Sequence, residues 1–223
     1  MLNSLKSLKE LVFTKVCISC AAPEYWLCPS CLSAWNTSVK KNFIDGKPIY
    51  FKSDYTSKTA SVILAAKEGN NLNAIELLAS AISQSIAFSI AELRISSEIT
   101  LITIPSAPSA IRRRGRDHIK TLAEYVQKDL QLISIKAQYA PILFQKKSIK
   151  DQSQLSSQQR MENTKGKFAV KSCEIPQGAV YLIDDLITTG ASMLEGVRAL
   201  SEAKITIAAG ITACAVGRIS LIP

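Results

Sequence analysis

The segment Val180-Tyr181-Leu182-Ile183-Asp184-Asp185-Leu186-Ile187-Thr188-Thr189-Gly190-Ala191-Ser192 constrains this chain more than any other. It reads as a buried strand, an acidic pair, a hydroxyl-rich turn with glycine, and a helix start. The helix continues through Met193, Leu194, Val197 and Leu200 at helical spacing. Two carboxylates can accept hydrogen bonds from vicinal hydroxyls. A turn with three hydroxyls and free amides, at the positive end of a helix dipole, suits a phosphate. A capped helix beside a solvated acidic loop is the plainer alternative, but a cap needs one such residue rather than five. A Walker phosphate loop is excluded, because no Gly-Lys-Thr or Gly-Lys-Ser follows a glycine-rich loop.

The strand–turn–helix pattern recurs. Strands are expected at Ile49–Tyr55, Ile99–Ile104, Tyr139–Phe144, Val180–Ile183 and Ile205–Val216, and helices at Lys58–Lys67 (where Ser61–Ala66 could also pass for a strand), Leu72–Arg94, Lys120–Leu130 and Ser192–Ala203. Alternation of this kind predicts an α/β domain whose mostly parallel sheet carries helices on both faces, with ligand chemistry at the strands' C-terminal ends. Ile104 and Ile183 each end a strand beside a candidate ligand loop. The apolar stretch Leu72–Leu93 is interrupted by Asn73, Glu76, Ser80, Gln84 and Glu92, so no membrane span is expected. In Met1–Lys15, Leu2, Leu5, Leu8 and Val12 have helical spacing, but lysines and Glu10 break any signal-peptide core. A cytoplasmic protein is the expectation.

Cys17-Ile18-Ser19-Cys20 and Cys28-Pro29-Ser30-Cys31 form two CxxC knuckles seven residues apart. Four thiolates so spaced suit a closed, structural zinc site, and the peptide between them is too short to form a core of its own. Two disulfides are the alternative, disfavoured in a reducing compartment. Residues 1–45 are therefore expected to form a helix and zinc module, with 46–223 as the main domain. Trp26 and Trp35 are expected to pack around the metal, while Cys173 and Cys214 stand alone and Cys214 reads as core.

The net charge of +9 is local. Ile111–Lys120 carries five basic residues against one acid and Gln145–Lys171 seven against two, which leaves the remainder neutral. Such segments point to a polyanionic ligand or nucleic acid. Arg112, Arg114 and Arg116 are candidates to grip phosphate oxygens by the guanidinium fork. His118, the sole histidine, reads either as a general acid or acceptor contact or, preferably, as a polar residue opening the Asp117–Leu130 helix. Asp151-Gln152-Ser153-Gln154-Leu155 with Arg160, Glu162, Asn163, Gly166, Lys167 and Phe168 reads as a flap over a charged ligand or as a simple exposed loop.

The Asp184–Ser192 segment resembles the phosphoribosyl pyrophosphate (PRPP) motif of type I phosphoribosyltransferases. The order of motifs resembles the ComF family across nearly the whole chain. These motifs are Cys17/Cys20/Cys28/Cys31, Lys67-Glu68-Gly69, Arg112-Arg113-Arg114-Gly115 after Pro105, Gln152-Ser153-Gln154-Leu155-Ser156 with Arg160, Asn163 and Phe168, and Asp184 to Gly190. The chain departs where the family has an aromatic after the lysine (here Glu68) and an aromatic, Asn and Gln after Arg-Gly (here Arg116-Asp117-His118). The resemblance implies a type I phosphoribosyltransferase-like fold that binds PRPP with Mg²⁺. Asp184 and Asp185 would take the ribose, and Thr188, Thr189, Gly190, Ala191 and Ser192 the 5′-phosphate. The loop Pro105–Ser109 with Arg112, Arg114 and Arg116 would take the pyrophosphate side. It also implies either transfer to an acceptor or single-stranded DNA binding without turnover, with protein partners of DNA uptake in natural competence.

Overall fold

The computed structural model describes residues 15–146, 166–171 and 176–217. The expected helix in Met1–Lys15, the Asp151–Asn163 stretch and Cys173 lie outside the described residues, apart from Lys15 itself. A short helix, α1 (Pro29–Leu32), and a 3₁₀ turn (Ser33–Trp35) are followed by β1 (Lys40–Ile44) and β2 (Lys47–Asp54). Next come α2 (Ser57–Lys67), α3 (Leu72–Leu93), β3 (Ile99–Thr103), α4 (Pro108–Arg114), α5 (His118–Leu132) and β4 (Ala137–Tyr139). The chain continues as β5 (Leu143–Gln145), β6 (Phe168–Val170), β7 (Ala179–Ile187), α6 (Ala191–Glu202) and β8 (Ile207–Ala215).

The main sheet runs β1-β2-β8-β7-β3-β4. Every pairing from β2 to β4 is parallel; only the edge hairpin β1–β2 is antiparallel. Central strands covered on both faces favour apolar residues, which explains why Leu101, Ile102, Tyr181, Leu182, Ile183, Ile211 and Ala213 have essentially no exposure. Ile75, Leu78, Ile82 and Ile86 of α3 and Ile119, Leu122, Val126 and Leu130 of α5 share one face with Leu101, Tyr181 and Ile183. Met193, Val197 and Leu200 of α6 share the other with Ile102, Ile104 and Leu182. The expected architecture, a mostly parallel sheet with helices on both faces, is therefore observed. Helix α3 is long and apolar enough to cross a membrane, but 56% of its most apolar window is buried inside this fold.

Several boundaries differ from the sequence reading. The main sheet starts at Lys40, because β1 pairs with β2 through the Asp45-Gly46 turn, and Cys17, Cys28, Cys31 and Trp35 join the same apolar cluster as α3. The cysteine module is thus packed onto the main domain, and the edge hairpin straddles the expected boundary at residue 45. The single strand expected at Tyr139–Phe144 is two, β4 and β5, interrupted at Ala140-Pro141, where proline supplies no N–H for a ladder. β5 pairs antiparallel with β6 as a separate ribbon. Glu195 on α6 accepts from the Phe168 amide (3.0 Å) and pairs with Arg198, which donates to the Phe168 carbonyl (3.1 Å), so the ribbon is fastened to α6. Strand β7 runs four residues beyond Ile183, because Leu186 and Ile187 keep pairing with Cys214 and Ala215.

Gly178 turns the chain into β7 with φ +72°, and a Cβ there would stand 1.8 Å from the Glu98 carbonyl oxygen. Gly178→Ala should lower stability by at least about 1–3 kcal/mol from backbone strain alone, with the clash in addition. A urea-denaturation midpoint equal to wild type would contradict this.

Candidate functional site

Strand β3 feeds α4, α5 and then β4 on one side; β7 feeds α6 and then β8 on the other. Neighbouring strands whose connections diverge leave a crevice at their C-terminal ends. The Ile104 amide donates to the Ile183 carbonyl (2.9 Å), the last rung before β3 departs. Asp184 and Asp185 follow, on the stretch of β7 that β3 no longer covers. The acidic pair thus stands on a strand rather than in a turn. Alternation along that strand sends the two carboxylates to opposite faces.

On the α6 side, Asp184 and the residues Thr188–Met193 line a cup of about 40 Å³. Gly190 is the N-cap of α6, with φ 77°, and no side chain caps the helix. The Ala191 amide reaches the Thr189 hydroxyl only at 3.4 Å. The twelve-residue helix therefore presents its positive end and first-turn amides beside three hydroxyls, which is chemistry for an anion. The structure brings Thr188, Thr189, Gly190, Ala191 and Ser192 together as the sequence suggested.

On the other side, Asp185 is 3% exposed, and its Oδ2 accepts from Lys67 Nζ (3.2 Å) at the end of α2 and from His118 Nε2 (3.1 Å) at the start of α5. Burial alone would raise the Asp185 carboxyl; the His118 hydrogen bond and the Lys67 charge outweigh it and hold the group below the usual carboxylate range. For Asp184, burial and then the charge of Asp185 push the carboxyl well above that range.

His118 opens α5, as the sequence suggested, and is buried there. Its Nδ1 lies 3.3 Å from both Ser106 Oγ and Arg114 Nη1, and Ser106 Oγ also donates to Asp117 Oδ1 at 3.2 Å. Arg114 is held in turn by Glu68, through Nε (2.9 Å) and Nη2 (2.6 Å). The Arg112–Arg116 stretch is therefore not an uncompensated cluster. Arg112, Arg113 and Arg114 occupy the last turn of α4, where the helix dipole favours cations. Arg116 donates to the carbonyls of Ala66 and Lys67 at the end of α2. Of the three arginines expected at a phosphate, Arg114 and Arg116 are occupied by protein groups here, while Arg112 is exposed. Glu68 and His118 border the acidic pair through partners 46 and 67 residues away; the sequence reading left Glu68 out and offered His118 only as an alternative.

Far along the chain, the Sγ atoms of Cys17, Cys20, Cys28 and Cys31 all lie within 4.8 Å of one another, and all four are free thiols. The edge of a tetrahedron with metal–sulfur bonds of about 2.3 Å is roughly 3.8 Å, so the donor set fits one metal ion. Burial raises the Cys17 thiol, but amide hydrogen bonds from Cys28, Ser19 and Cys20 bring it down to about 6, whereas the Cys20 thiol, despite an amide hydrogen bond from Ala22, is pushed up to about 12 by the neighbouring thiols of Cys28, Cys31 and Cys17. Trp35 is buried beside the cluster, as expected of a packing residue.

No family model and no curated protein sequence matches this chain. Among solved structures, adenine phosphoribosyltransferase from Saccharomyces cerevisiae, complexed with an imino-altritol bisphosphate and adenine, is similar over 85% of this chain and 90% of its own. The identity is 9% and the TM-score 0.39. Adenine phosphoribosyltransferase from Trypanosoma brucei, in complex with AMP, pyrophosphate and ribose-5-phosphate, covers 84% and 92% at 10% identity and TM-score 0.40.

The Glu68–Arg114 pair gives a pH test. Arg114 holds the Glu68 carboxyl down at about 2 from 4.5. A depressed acid contributes stability that is full above its unfolded value and disappears as pH falls through the folded one. Glu68 is partly solvated, so Glu68→Gln should destabilise by only about 1 kcal/mol at pH 7. The difference from wild type, followed by thermal melts, should shrink as pH falls from about 4.5 toward 2. A difference independent of pH would contradict the pairing.

Proposed function

We propose that the protein binds PRPP with Mg²⁺ in the crevice between β3 and β7 and transfers its phosphoribosyl group to an acceptor. The observation that supports this reading best is the placement of Asp184 and Asp185 on the open end of β7, directly before an anion cup made by an uncapped helix. Asp184 and Asp185 accept hydrogen bonds from the ribose hydroxyls, and the amides and hydroxyls of Thr188–Ser192 take the 5′-phosphate. Arg112 is exposed and is left for the pyrophosphate, beside Arg113, whose exposed guanidinium also stands 3.5 Å from Glu68. Carboxylate oxygens suit a hard cation, so Asp184 and Asp185 would face a Mg²⁺ carried by the substrate, which would supply charge neutralisation for the pyrophosphate. The anomeric carbon gains cationic character as pyrophosphate leaves. Placed carboxylates and dipoles stabilise that charge, so no nucleophilic side chain is needed. The motif order resembling the ComF family agrees with this assignment.

Titration calorimetry of PRPP–Mg²⁺ against the full chain tests the reading. Asp185→Asn should weaken binding by about 1–3 kcal/mol, or roughly five- to 150-fold; unchanged affinity in a folded variant overturns it. Pyrophosphate release across a panel of bases, with single-stranded DNA retention measured on the same sample, separates transfer from the rival reading. DNA retention that falls steeply with salt, without turnover, would favour a strand-binding role resting on exposed Arg112 and Arg113.

We further infer that the four cysteines hold one structural zinc. Metal analysis should find one zinc per chain. A strong chelator should make four thiols reactive and shift the emission of Trp26 and Trp35. Metal-free protein with two disulfides would overturn the assignment.

A further inference from the structure

We propose that His118 is a positioning residue that fixes the Asp185 carboxylate for ribose, and that Arg114 sets it to the task by selecting its Nε2–H tautomer. This inference rests on the ribose-binding reading of Asp185 given above.

The argument runs through donors and acceptors. A guanidinium has only N–H donors and does not lose its proton in a protein. Arg114 Nη1 at 3.3 Å therefore requires His118 Nδ1 to be the acceptor. A neutral imidazole carries one ring proton, which then sits on Nε2 and points at Asp185 Oδ2, 3.1 Å away. Arg114 cannot drift from this duty, because Glu68 grips it at two points and its side chain is only 7% exposed. With Nδ1 occupied, the Ser106 hydroxyl turns to Asp117 Oδ1. The groups facing His118 are thus Arg114 from α4, Ser106 and Asp117 from the loops on either side of α4, and Asp185 from β7, with Lys67 of α2 beyond Asp185.

The order Asp185–His118–Ser106 has the outline of a nucleophile relay, but its central lone pair is taken. A general base needs Nδ1 free to receive the serine proton, and here Arg114 holds it. What remains is a relay of orientation from Glu68 through Arg114 and His118 to Asp185. Lys67 supplies charge to the same Oδ2 but, as a flexible ammonium, no direction. The imidazole supplies the direction, leaving Asp185 Oδ1 to a ligand hydroxyl.

His118 is the only histidine, so ¹⁵N spectra of the untagged full chain report its two ring nitrogens without overlap. A pyridine-like Nδ1 and a protonated Nε2 are expected, with that preference weakened in Arg114→Gln. The Nδ1–H tautomer in wild type would overturn the proposal. Calorimetry with ribose-5-phosphate supplies the second arm. His118→Leu, which keeps the volume without the donor, should lose about tenfold or more in affinity, the equivalent of one hydrogen bond to a charged group. His118→Gln, whose amide nitrogen reaches the position of Nε2, should recover most of it. Equal losses in both variants would overturn positioning, as would covalent labelling of Ser106 by a fluorophosphonate, which demands a free Nδ1. A wild-type protein that binds no ribose-5-phosphate, yet shows the Arg114-dependent Nε2–H tautomer, would sink the proposed function and leave the Glu68–Arg114–His118–Asp185 relay standing.

Discussion

A charged carboxylate with almost no solvent contact sets the terms for this structure. Asp185 sits where β7 outlasts β3, and an ion in that position must be met by partners or give up its charge. The partners come from elements far apart in sequence: Lys67 ends α2, and His118 opens α5. Their own requirements recruit Arg114, Glu68 and the carbonyls of α2, which Arg116 closes off. One buried acid thereby ties the ends of three helices to the middle of the sheet.

This dependence explains which parts of the molecule were legible in the sequence. Strands covered on both faces are written as apolar runs, so Ile99–Ile104, Val180–Ile183 and Ile205–Val216 were located to within a few residues. The turn before α6 was legible as well, since Thr188–Ser192 is contiguous and needs only local geometry. Helix α4 was not anticipated, because a seven-residue helix with basic residues in its last turn has no apolar stripe to mark it. His118 was judged by its neighbours in sequence and not by Asp185, 67 positions on. The edge strand β1 was missed because Lys40-Lys41-Asn42 at a sheet border carries the charges that edges favour.

Glu68 and the Arg116-Asp117-His118 run are distant in sequence but physically one cluster, because Arg114 joins Glu68 to His118. A carboxylate beside Lys67 would be an unwelcome neighbour for an anionic ligand if it were free. Bound at two points by Arg114, it is neutralised and becomes part of the frame.

The β5–β6 ribbon carries a different consequence. Its two short strands are zipped together, the Lys146 amide donates to the Lys167 carbonyl, and Glu195 and Arg198 rivet Phe168 to α6. Lys146 and Lys167 are therefore held together at one place, and the ribbon shifts only if α6, whose first turn lines the crevice, shifts with it.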